Sequence, residues 1–496
     1  MNLFRHHKLA VILLAGICGG LDGFTKAKGE VIVYPIPRGI EASADYQVRA
    51  DGKNIFVYKT PVFSMATFSF SGEAEVVLDV KRAIKRPVIR PLALGIKPTV
   101  EGSTLRFRIN HPCNLAVEVD EDLHRPLFLF ANPPETNAPP AAGPNVRYFA
   151  GGKIHEAGKI ELKNNETLYL AGGAVVRGVI RATNVSGARI LGPGILDAST
   201  RVKQAKMVDL NSCTNIEING VIVLGSYGWT VVPYLSENIH LRNVKILSWR
   251  DNDDGFDPDS SRHVTADNCF FRTKDDCIAI KAHGNWGITG TTSKADPKRF
   301  DTDDVRILNS TFWSSEWGHA LTVGFAIRAP SVRNILFQNC DIIKKEKGPA
   351  LSIDNHDLGA VENVRFENIR VEDGCDKLLA LKVVFSAYSA DCPYEYYRNN
   401  ANRKPPQGED WMKVVNEKHA TPRGSIRQVV FNNIQIAGDR LPDSEIKGYG
   451  PANEISDVVF QNITFQGRVL KSAAEANLKI QNASDVRFEN MAINPP

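Results

Sequence analysis

A seven-residue phrase decides the fold: NILFQNC, residues 334–340. It begins with a polar residue, continues as an alternating apolar run, and closes with Asn before another apolar residue. Similar phrases return at 363–369 as NVRFENI and at 457–463 as DVVFQNI. A strand-like phrase that recurs along a chain is typical of a solenoid, in which each copy stacks on its neighbour.

The closing Asn of this phrase recurs at positions 243, 268, 309, 339, 368, 433, 462 and 490. Most steps have similar lengths, whereas the longer step from 268 to 309 predicts an insertion. The longest step, from 368 to 433, predicts two coils or one long loop. Short strands with no helical stretch between them predict a right-handed parallel β-helix. We expect each Asn to adopt the left-handed αL conformation at a tight turn, rung upon rung.

Shorter alternating runs fill the chain from Glu30 to about Ala131, broken by Gly, Pro, Asn and Asp. Period-2 runs of this kind predict an antiparallel β-sandwich. The segment PPETNAPPAAGP, residues 133–144, is typical of a hinge between domains. The predicted fold class is therefore all-β, with a β-sandwich domain at 29–132, a Pro-rich linker at 133–144 and a catalytic β-helix domain at 145–496.

The segment 1–28 has the pattern of a secretory signal peptide. Arg5 and Lys8 precede an apolar run from Leu9 to Cys18, and small residues follow. This run is too short to cross a membrane as a helix, and no later stretch is long enough. We therefore expect a secreted or periplasmic protein without a membrane span, acting as a monomer.

The net charge and the cysteine spacing limit which ligands and partners the sequence predicts. A net charge of +4 over 496 residues, without a Lys/Arg run, does not favour nucleic acid. The eight Cys residues include no CxxC pair, and no His/Cys cluster has metal-ligand spacing. The sequence therefore predicts no nucleic-acid partner, no metal and no cofactor.

Two acidic knots stand out inside the repeat: NDDGFD at 252–257 and KDDC at 274–277. Asp254 and Asp275 are separated by about one coil, and stacked coils lie about 4.7–4.9 Å apart. Stacking would gather five carboxylates: Asp253, Asp254, Asp257, Asp275 and Asp276. Crowded like charges raise the pKa of one carboxyl while others stay ionised, which suits a general acid and a general base on one bond.

The same cluster has other interpretations. Grouped aspartates also hold Ca²⁺, so a Ca²⁺-dependent polysaccharide lyase on this fold is one alternative. A glycan-binding or attachment protein without catalysis is another. Chelator inactivation with an unsaturated product would identify the lyase, and unchanged turnover after Asp275→Asn would favour the binding protein.

The motifs around the knots resemble the polygalacturonase group, glycoside hydrolase family 28, and its relative family 49, which includes dextranases. The family pattern Asn-x-Asp-Gly-x-Asp is similar to residues 252–257, and Asp-Asp-Cys-Ile-Ala-Ile matches 275–280. Gly-His-Gly-Leu-Ser-Ile-Gly resembles 318–324, with Ala320 in place of the second Gly, and Gly-x-Gly-x-x-Asp matches 192–197. The resemblance covers about 145–496, and a leading sandwich domain resembles the dextranase branch.

In these families the reaction is inverting hydrolysis of an O-glycosidic bond. The resemblance implies that Asp275 protonates the leaving oxygen, while Asp254 and Asp276 hold and deprotonate the attacking water. His319 would lie beside them and tune the acid. The expected function is a secreted, polygalacturonase-like glycoside hydrolase acting on a polysaccharide.

One departure concerns the substrate. Polygalacturonases carry an Arg-Ile-Lys motif that grips the galacturonate carboxylate, but residues 351–356 here read LSIDNH, with Asp354 where the Lys is expected. A carboxylate facing Asp354 would be repelled. Either the sugar is neutral, as for a dextranase-like or galactosidase-like hydrolase, or Lys281, Arg328 or Lys382 replaces the clamp.

The remaining candidates are substrate contacts. Five Trp residues lie between Trp229 and Trp317, around the knots, and indole faces stack on sugar rings. Trp286 lies in a Gly-containing insertion and is the candidate for the cleft rim, while Tyr388 resembles a family position on the leaving-group side. The predicted substrate-binding residues are Asn252, Asp257, Lys281, Trp286, Asp354 and Tyr388.

Overall fold

The computed structural model describes residues 29–120, 125–136, 138–284, 300–374, 376–386, 388–392, 413, 417, 423–450 and 454–489. The predicted signal peptide and Trp286 lie outside these residues. Within the described ranges the chain forms forty β-strands and one short 3₁₀-helix, Leu92–Leu94, and Lys413 and Glu417 are also helical. No helix in this part of the chain is long and apolar enough to cross a membrane.

Two small sheets precede residue 133. The first has the order β1-β5-β11-β10-β7 with β4 beside β5, and the second has the order β3-β2-β6-β9-β8. Their pairs are antiparallel, except for the parallel pair β5–β11. The strands are β1 Val31–Ile32, β2 Tyr46–Ala50, β3 Lys53–Ile55, β4 Val57–Lys59, β5 Ser64–Phe70, β6 Ala74–Val80, β7 Val88–Arg90, β8 Thr99–Glu101, β9 Thr104–Ile109, β10 Cys113–Glu118 and β11 Leu127–Asn132.

All later strands stack in parallel, apart from the antiparallel pair β37–β38. The first half comprises β12 Val146–Phe149, β13 Lys153–Glu161, β14 Thr167–Leu170, β15 Ala174–Thr183, β16 Arg189–Leu191, β17 Ile195–Asp197, β18 Val208–Asn211, β19 Thr214–Asn219, β20 Ile222–Leu224, β21 Val231–Tyr234, β22 Glu237–Arg242, β23 Lys245–Leu247, β24 Arg262–Asp267, β25 Phe270–Thr273 and β26 Ile278–Ala282. The second half comprises β27 Thr302–Leu308, β28 Thr311–Ser314, β29 Leu321–Ile327, β30 Ser331–Lys345, β31 Pro349–Asn355, β32 Ala360–Val371, β33 Lys377–Val383, β34 Ser425–Ile436, β35 Asp443–Lys447, β36 Ile455–Gln461, β37 Thr464–Phe465, β38 Arg468–Val469, β39 Leu478–Gln481 and β40 Ala483–Glu489.

The strand register resolves the two irregular steps of the repeat. β24 pairs directly with β27, so the step from Asn268 to Asn309 is one coil with an insertion, as predicted. β32 pairs directly with β34, so the step from Asn368 to Asn433 is also one coil with a long insertion. Of the two alternatives for that step, the long loop is correct. The site therefore lies on evenly stacked coils whose loops differ greatly in length.

The predicted asparagine turns are confirmed. The closing Asn residues at 243, 268, 309, 339, 368, 433 and 462 all have φ between 49° and 54°, and Asn490 lies outside the described residues. Their side chains form rungs, because Asn339 Nδ2 donates to Asn309 Oδ1 at 2.6 Å and Asn433 Nδ2 donates to Asn368 Oδ1 at 2.8 Å. The first polar residue of the phrase is also left-handed, for example Asn334 (φ 59°), a feature that the sequence pattern did not reveal.

Apolar side chains fill the interior of the β-helix in stacked columns. One column is aromatic: Phe337, Phe366, Phe431, Phe460 and Phe488 have successive ring-centroid separations of 4.7 to 5.0 Å. Four of the five rings are buried. Because each coil presents the same side-chain type at the same position, the burial of this column fixes the register of the outward-facing residues as well.

The sheet containing β5 and β11 packs against the side of the β-helix. Phe128 lies 5.3 Å from Phe270 and 5.5 Å from Trp313, measured between ring centroids. Beside this apolar contact, the buried Arg90 guanidinium reaches Glu118 Oε1 at 2.6 Å and Glu372 Oε2 at 3.0 Å. A buried apolar and ionic interface thus joins the two parts of the chain.

These observations confirm the predicted fold class, a right-handed parallel β-helix preceded by a small β-sandwich domain. The strand ranges leave 133–145 free of strands, and the boundaries of the domains stay a prediction.

Candidate active site

Four side chains occupy the same position in four successive coils: Trp229, Asp254, Asp276 and His319. Each lies two residues before a member of one row of paired residues: Val231, Phe256, Ile278 and Leu321. The backbone confirms the alignment, because Gly255 N donates to Asp276 O at 2.8 Å. The predicted stacking of the two acidic knots is therefore confirmed. In the observed register Asp276 lies directly beside Asp254, and Asp275 lies one residue earlier.

A tight turn lets the adjacent Asp275 and Asp276 serve the same site. The turn links β25 to β26, and the buried Asp253 holds it: Asp253 Oδ1 accepts the backbone N–H groups of Lys274 at 2.9 Å and Asp275 at 2.8 Å. Burial raises the pKa of Asp253 to about 6, although these N–H groups oppose the shift. Asp275 is left half-buried, whereas Asp276 is buried.

A glycine makes room for this turn. Gly318 has φ +64°, and a Cβ at this position would lie 2.4 Å from the backbone nitrogen of Asp276. Side chains other than hydrogen cannot approach a backbone this closely. The glycine before His319 is thus required by the close contact between its coil and the carboxylates.

His319 binds Asp276 twice. Its backbone N–H donates to Asp276 Oδ1 at 2.7 Å, and its Nδ1 lies 2.8 Å from the same oxygen. Burial alone would raise the pKa of Asp276, but the contacts with His319 outweigh burial and hold this pKa below the ordinary value. Asp276 is therefore ionised at neutral pH.

Asp275 shows the opposite behaviour. Burial and the nearby carboxylates of Asp254 and Asp276 raise the pKa of Asp275 to about 8. Its Oδ1 accepts the backbone N–H of Asp276 at 3.1 Å. Two adjacent carboxyl groups thus carry different charges at pH 7, one protonated and one ionised, which is the requirement for acid and base catalysis at one bond.

A buried lysine supports the other carboxylate of the column. Lys281 Nζ lies 2.9 Å from Asp254 Oδ2, 2.6 Å from Asp257 Oδ1 and 3.6 Å from the ring centroid of Trp229. Burial raises the pKa of Asp254 and, much more, that of Asp257, and Lys281 opposes both shifts. The two aspartates in turn raise the pKa of Lys281 against its burial. Lys281 lies beneath the carboxylates with its charge already paired.

Beyond His319 lies Asp354, the residue at the position of the expected clamp. Its Oδ2 is 3.4 Å from His319 Nε2, and its Oδ1 is 3.8 Å from Lys382 Nζ. Lys382 also pairs with Glu445 at 3.1 Å. At the position two residues earlier, where the family pattern has Arg, the chain has the buried Ser352. The side chains here form a chain of alternating charge rather than a basic patch.

An aromatic wall continues from His319. The Phe325 ring lies 5.5 Å from His319 and 6.1 Å from Tyr388, centroid to centroid, and is nearly parallel to Tyr388. Tyr388 is exposed, and its backbone O accepts a hydrogen bond from Arg328 Nη2 at 3.4 Å. Burial lowers the pKa of the neighbouring His356 to about 4. The predicted Tyr388 therefore joins the site through Phe325, which the sequence did not single out.

A second carboxylate–imidazole pair lies on the Trp229 side. His283 Nδ1 is 2.8 Å from Asp259 Oδ2, and the His283 backbone N–H donates to Asp259 Oδ1 at 2.9 Å. Burial raises the pKa of Asp259, but His283 outweighs it and the net shift is downward. The His283 ring lies 5.9 Å from Trp229. The sequence missed this pair, yet its two members are separated by about one coil, which was a signal available in the repeat.

The structure brings most predicted site residues into this network. Lys281 links Asp254 with Asp257, and His319 links Asp276 with Asp354. The strand register sets Asp254 beside Asp276, and Asp275 precedes Asp276 in the chain. Asn252 is half-buried with φ +57° and forms the turn that precedes the carboxylates. Trp286 lies outside the described residues.

Comparisons with known proteins agree with this geometry. Residues 158–379 match the model of Glycosyl hydrolases family 28. A polygalacturonase of Fusarium fujikuroi is 24% identical over 191 residues, which cover 38% of this chain and 41% of that protein. An endo-polygalacturonase of Pectobacterium carotovorum subsp. carotovorum is 24% identical over 215 residues, covering 38% of this chain and 49% of that protein. The chain spans less than half the length of these curated relatives.

Two solved structures share the fold over most of the chain. The family 28 exopolygalacturonase of Yersinia enterocolitica superposes with a TM-score of 0.51 at 14% identity, covering 91% of this chain and 99% of that one. Dex49A from Penicillium minioluteum gives a TM-score of 0.51 at 11% identity, covering 92% and 96%. The match across residues 158–379 includes the coils that carry the acidic column, so this part of the chain is similar to glycoside hydrolase family 28 and to the polygalacturonases above.

Proposed function

We propose that the protein is an O-glycoside hydrolase that cleaves a polysaccharide with inversion at the anomeric carbon. One observation carries this proposal: the stacked coils set Asp254 beside Asp276 and next to Asp275, with the pKa of Asp275 raised to about 8 and that of Asp276 lowered. The family match supports the reaction class. The polygalacturonases among the relatives suggest a pectic polysaccharide as the first substrate to test.

In the proposed reaction, Asp275 gives its proton to the glycosidic oxygen as the bond to the anomeric carbon breaks. Asp254 and Asp276 hold a water molecule on the opposite face of the sugar and accept its proton as its oxygen bonds to that carbon. The products are a new reducing end of inverted configuration and a free hydroxyl on the leaving chain. Lys281 favours the ionised form of Asp254 for this step, because its positive charge, 2.9 Å away, opposes the effect of burial on the pKa of Asp254.

A neutral glycan is a second candidate substrate, and a specific observation favours it. The positions that would grip a uronate carboxylate hold Ser352 and Asp354. The other two cations considered as replacements face carboxylates: Lys382 pairs with Glu445, and Arg328 Nε lies 3.8 Å from Asp357 Oδ2. A substrate carboxylate placed here would meet Asp354 without a free cation beside it among the described residues.

A glycan panel tests the proposal. The purified protein is incubated with polygalacturonate, rhamnogalacturonan, dextran and galactans, and new reducing ends are measured. Proton NMR of the first product gives its anomeric configuration. Hydrolysis with inversion is expected, and Asp275→Asn serves as the matched inactive variant. Retention of configuration would overturn the mechanism, and an unsaturated product that chelators abolish would identify a lyase instead.

We also propose that residues 1–28 direct export, so that the mature protein acts outside the cytoplasm as a monomer. The N-terminal pattern of Arg5, Lys8 and the following apolar run supports export. Mass spectrometry of the N-terminus after expression with a secretion system tests the cleavage, and light scattering tests the monomer. An uncleaved N-terminus in the exported fraction would contradict the first part.

A further inference from the structure

Both ring nitrogens of His319 face carboxylate oxygens. Nδ1 lies 2.8 Å from Asp276 Oδ1, and Nε2 lies 3.4 Å from Asp354 Oδ2. The ring is buried between the coils that carry these two residues, and both aspartates are more than nine-tenths buried. The imidazole therefore bridges two acidic groups that water reaches poorly.

A neutral imidazole carries one N–H and one lone pair. Whichever nitrogen held the single proton, the lone pair of the other would face a carboxylate oxygen. Asp354 Oδ2 is buried and accepts no hydrogen bond of good geometry from any described residue, and His319 Nε2, at 3.4 Å, is an ion-pair neighbour of this oxygen. Only a ring protonated on both nitrogens directs an N–H toward both carboxylates.

The other groups that face the ring leave this argument intact. Phe325 covers it with an apolar edge, and His356 lies on the far side of Phe325. Lys382 pairs with Asp354, but it lies 3.8 Å from the opposite oxygen and is shared with Glu445. Lys382 therefore neutralises Asp354 only in part, and the carboxylate keeps charge available for His319.

We propose that Asp354 is a positioning residue that, with Asp276, holds His319 as a doubly protonated imidazolium. This inference rests on the proposed function for its catalytic meaning. The positive ring lies against Asp276 and keeps that carboxylate ionised beside the protonated Asp275. Asp354 thus acts on the reaction through His319 and does not need to touch the sugar.

Nitrogen-15 NMR of the full-length protein, labelled at histidine, tests the proposal without substrate. The His319 signals are assigned by their loss in His319→Gln. At pH 7 both ring nitrogens of His319 are expected to show the shifts of protonated nitrogens. A spectrum with one protonated and one unprotonated nitrogen in the unaltered protein would overturn the proposal, including the case in which a protonated Asp354 donates to the ring.

Asp354→Asn provides the second test. The variant is expected to change the ring from two protonated nitrogens to one at pH 7. Asp357→Asn is the matched control, because Asp357 is equally buried in the same coil but binds the backbone N–H of Ile327 at 3.0 Å instead of His319. That control should keep both protons on His319. An unchanged ring in Asp354→Asn, with the fold intact by circular dichroism, would overturn the proposal.

The kinetic readout separates positioning from a merely structural role. Asp254 sets the acid limb of the kcat/KM profile in the unaltered protein. Without the imidazolium Asp276 also takes up a proton more readily, so in Asp354→Asn this limb is expected to become steeper and to move to higher pH. A uniform loss of activity at all pH values would count against positioning. If the protein hydrolyses no glycan, the proposed function fails, yet the spectra still decide the state of His319.

Discussion

His319 donates its backbone N–H to the same oxygen of Asp276 that its ring nitrogen contacts, at 2.7 and 2.8 Å. Main chain and side chain of one residue thus grip one carboxylate oxygen. The contact fixes the Asp276 side chain and leaves its second oxygen available for a water molecule. This geometry explains why Asp276 is ionised although it is buried.

Asp275→Asn should lower kcat by about 10²–10⁴-fold, because the amide cannot give up a proton to the leaving oxygen. The variant is expected to be at least as stable as the unaltered protein at pH 7, because folding raises the pKa of Asp275 to about 8 and disfavours the ionised form that the unfolded chain holds. Initial rates on the best glycan of the panel measure the effect. Unchanged turnover would favour a binding protein or a different acid.

The pH profile of kcat/KM should be bell-shaped, with its alkaline limb near pH 8. Asp275 must be protonated to act, and its pKa is raised to about 8, so activity is lost as the pH rises through this value. On the acid side activity is lost as the pH falls and Asp254 takes up a proton. This loss begins at a higher pH than for an ordinary carboxyl, because the pKa of Asp254 is raised. Because these groups interact, the limbs report the cluster as a whole.

Lys281→Met should destabilise the protein by about 3–5 kcal/mol, because it leaves buried carboxylates without their cation. Urea unfolding measures the change. Lys274→Met is the matched control: Lys274 pairs with Asp251 at 2.9 Å, but on the surface. Its loss should cost about 0–1 kcal/mol. Similar costs for both variants would contradict the inferred burial of the Lys281 pairs.

Gly318→Ala should reduce both stability and activity, since the added methyl group would push against the backbone of Asp276. Gly467→Ala isolates the clash. Gly467 also has a positive φ, of +79°, but a Cβ there meets nothing within 4 Å. That control should cost only the left-handed strain of about 1–2 kcal/mol. Thermal unfolding and kcat together distinguish the two variants, and equal effects would show that the close contact is unimportant.

Much of the fold was predictable because one sequence phrase, a short strand closed by Asn, recurs in coil after coil. Each closing Asn marks a turn, and some of these side chains bond the Asn of the neighbouring coil. Asn339, for example, adopts the left-handed turn conformation and also donates to Asn309. The left-handed turns at the first position escaped notice, because residues as different as Gln428 (φ 58°) and Asp457 (φ 54°) occupy it. Because several polar residue types occupy the first position of the phrase, no single residue type marks this turn in the sequence.

The site residues were predictable where a sequence motif and the coil spacing agree. They were less predictable where strand register or ion pairing determines what a residue contacts. The sequence brought Asp254 and Asp275 one coil apart, but only the backbone reveals that Asp276, the next residue along, is the direct neighbour of Asp254. Lys281 was expected to contact substrate, and only the structure reveals that two aspartates already hold it. Phe325 and the Asp259–His283 pair lie in no recognised motif, so only their contacts with His319 and Trp229 identify them as site residues.

In the column of Trp229, Asp254, Asp276 and His319, the positions of the side chains do not depend on the lengths of the segments that join them. The segments that join successive members differ greatly in length, yet each member lies directly beside the next, because the strands set their positions and the loops do not. Loops on this face can therefore lengthen or be exchanged without moving a reacting atom. Under the proposed function, substrate choice and catalytic power would be separately adjustable, and loop grafting would be a route to altered specificity.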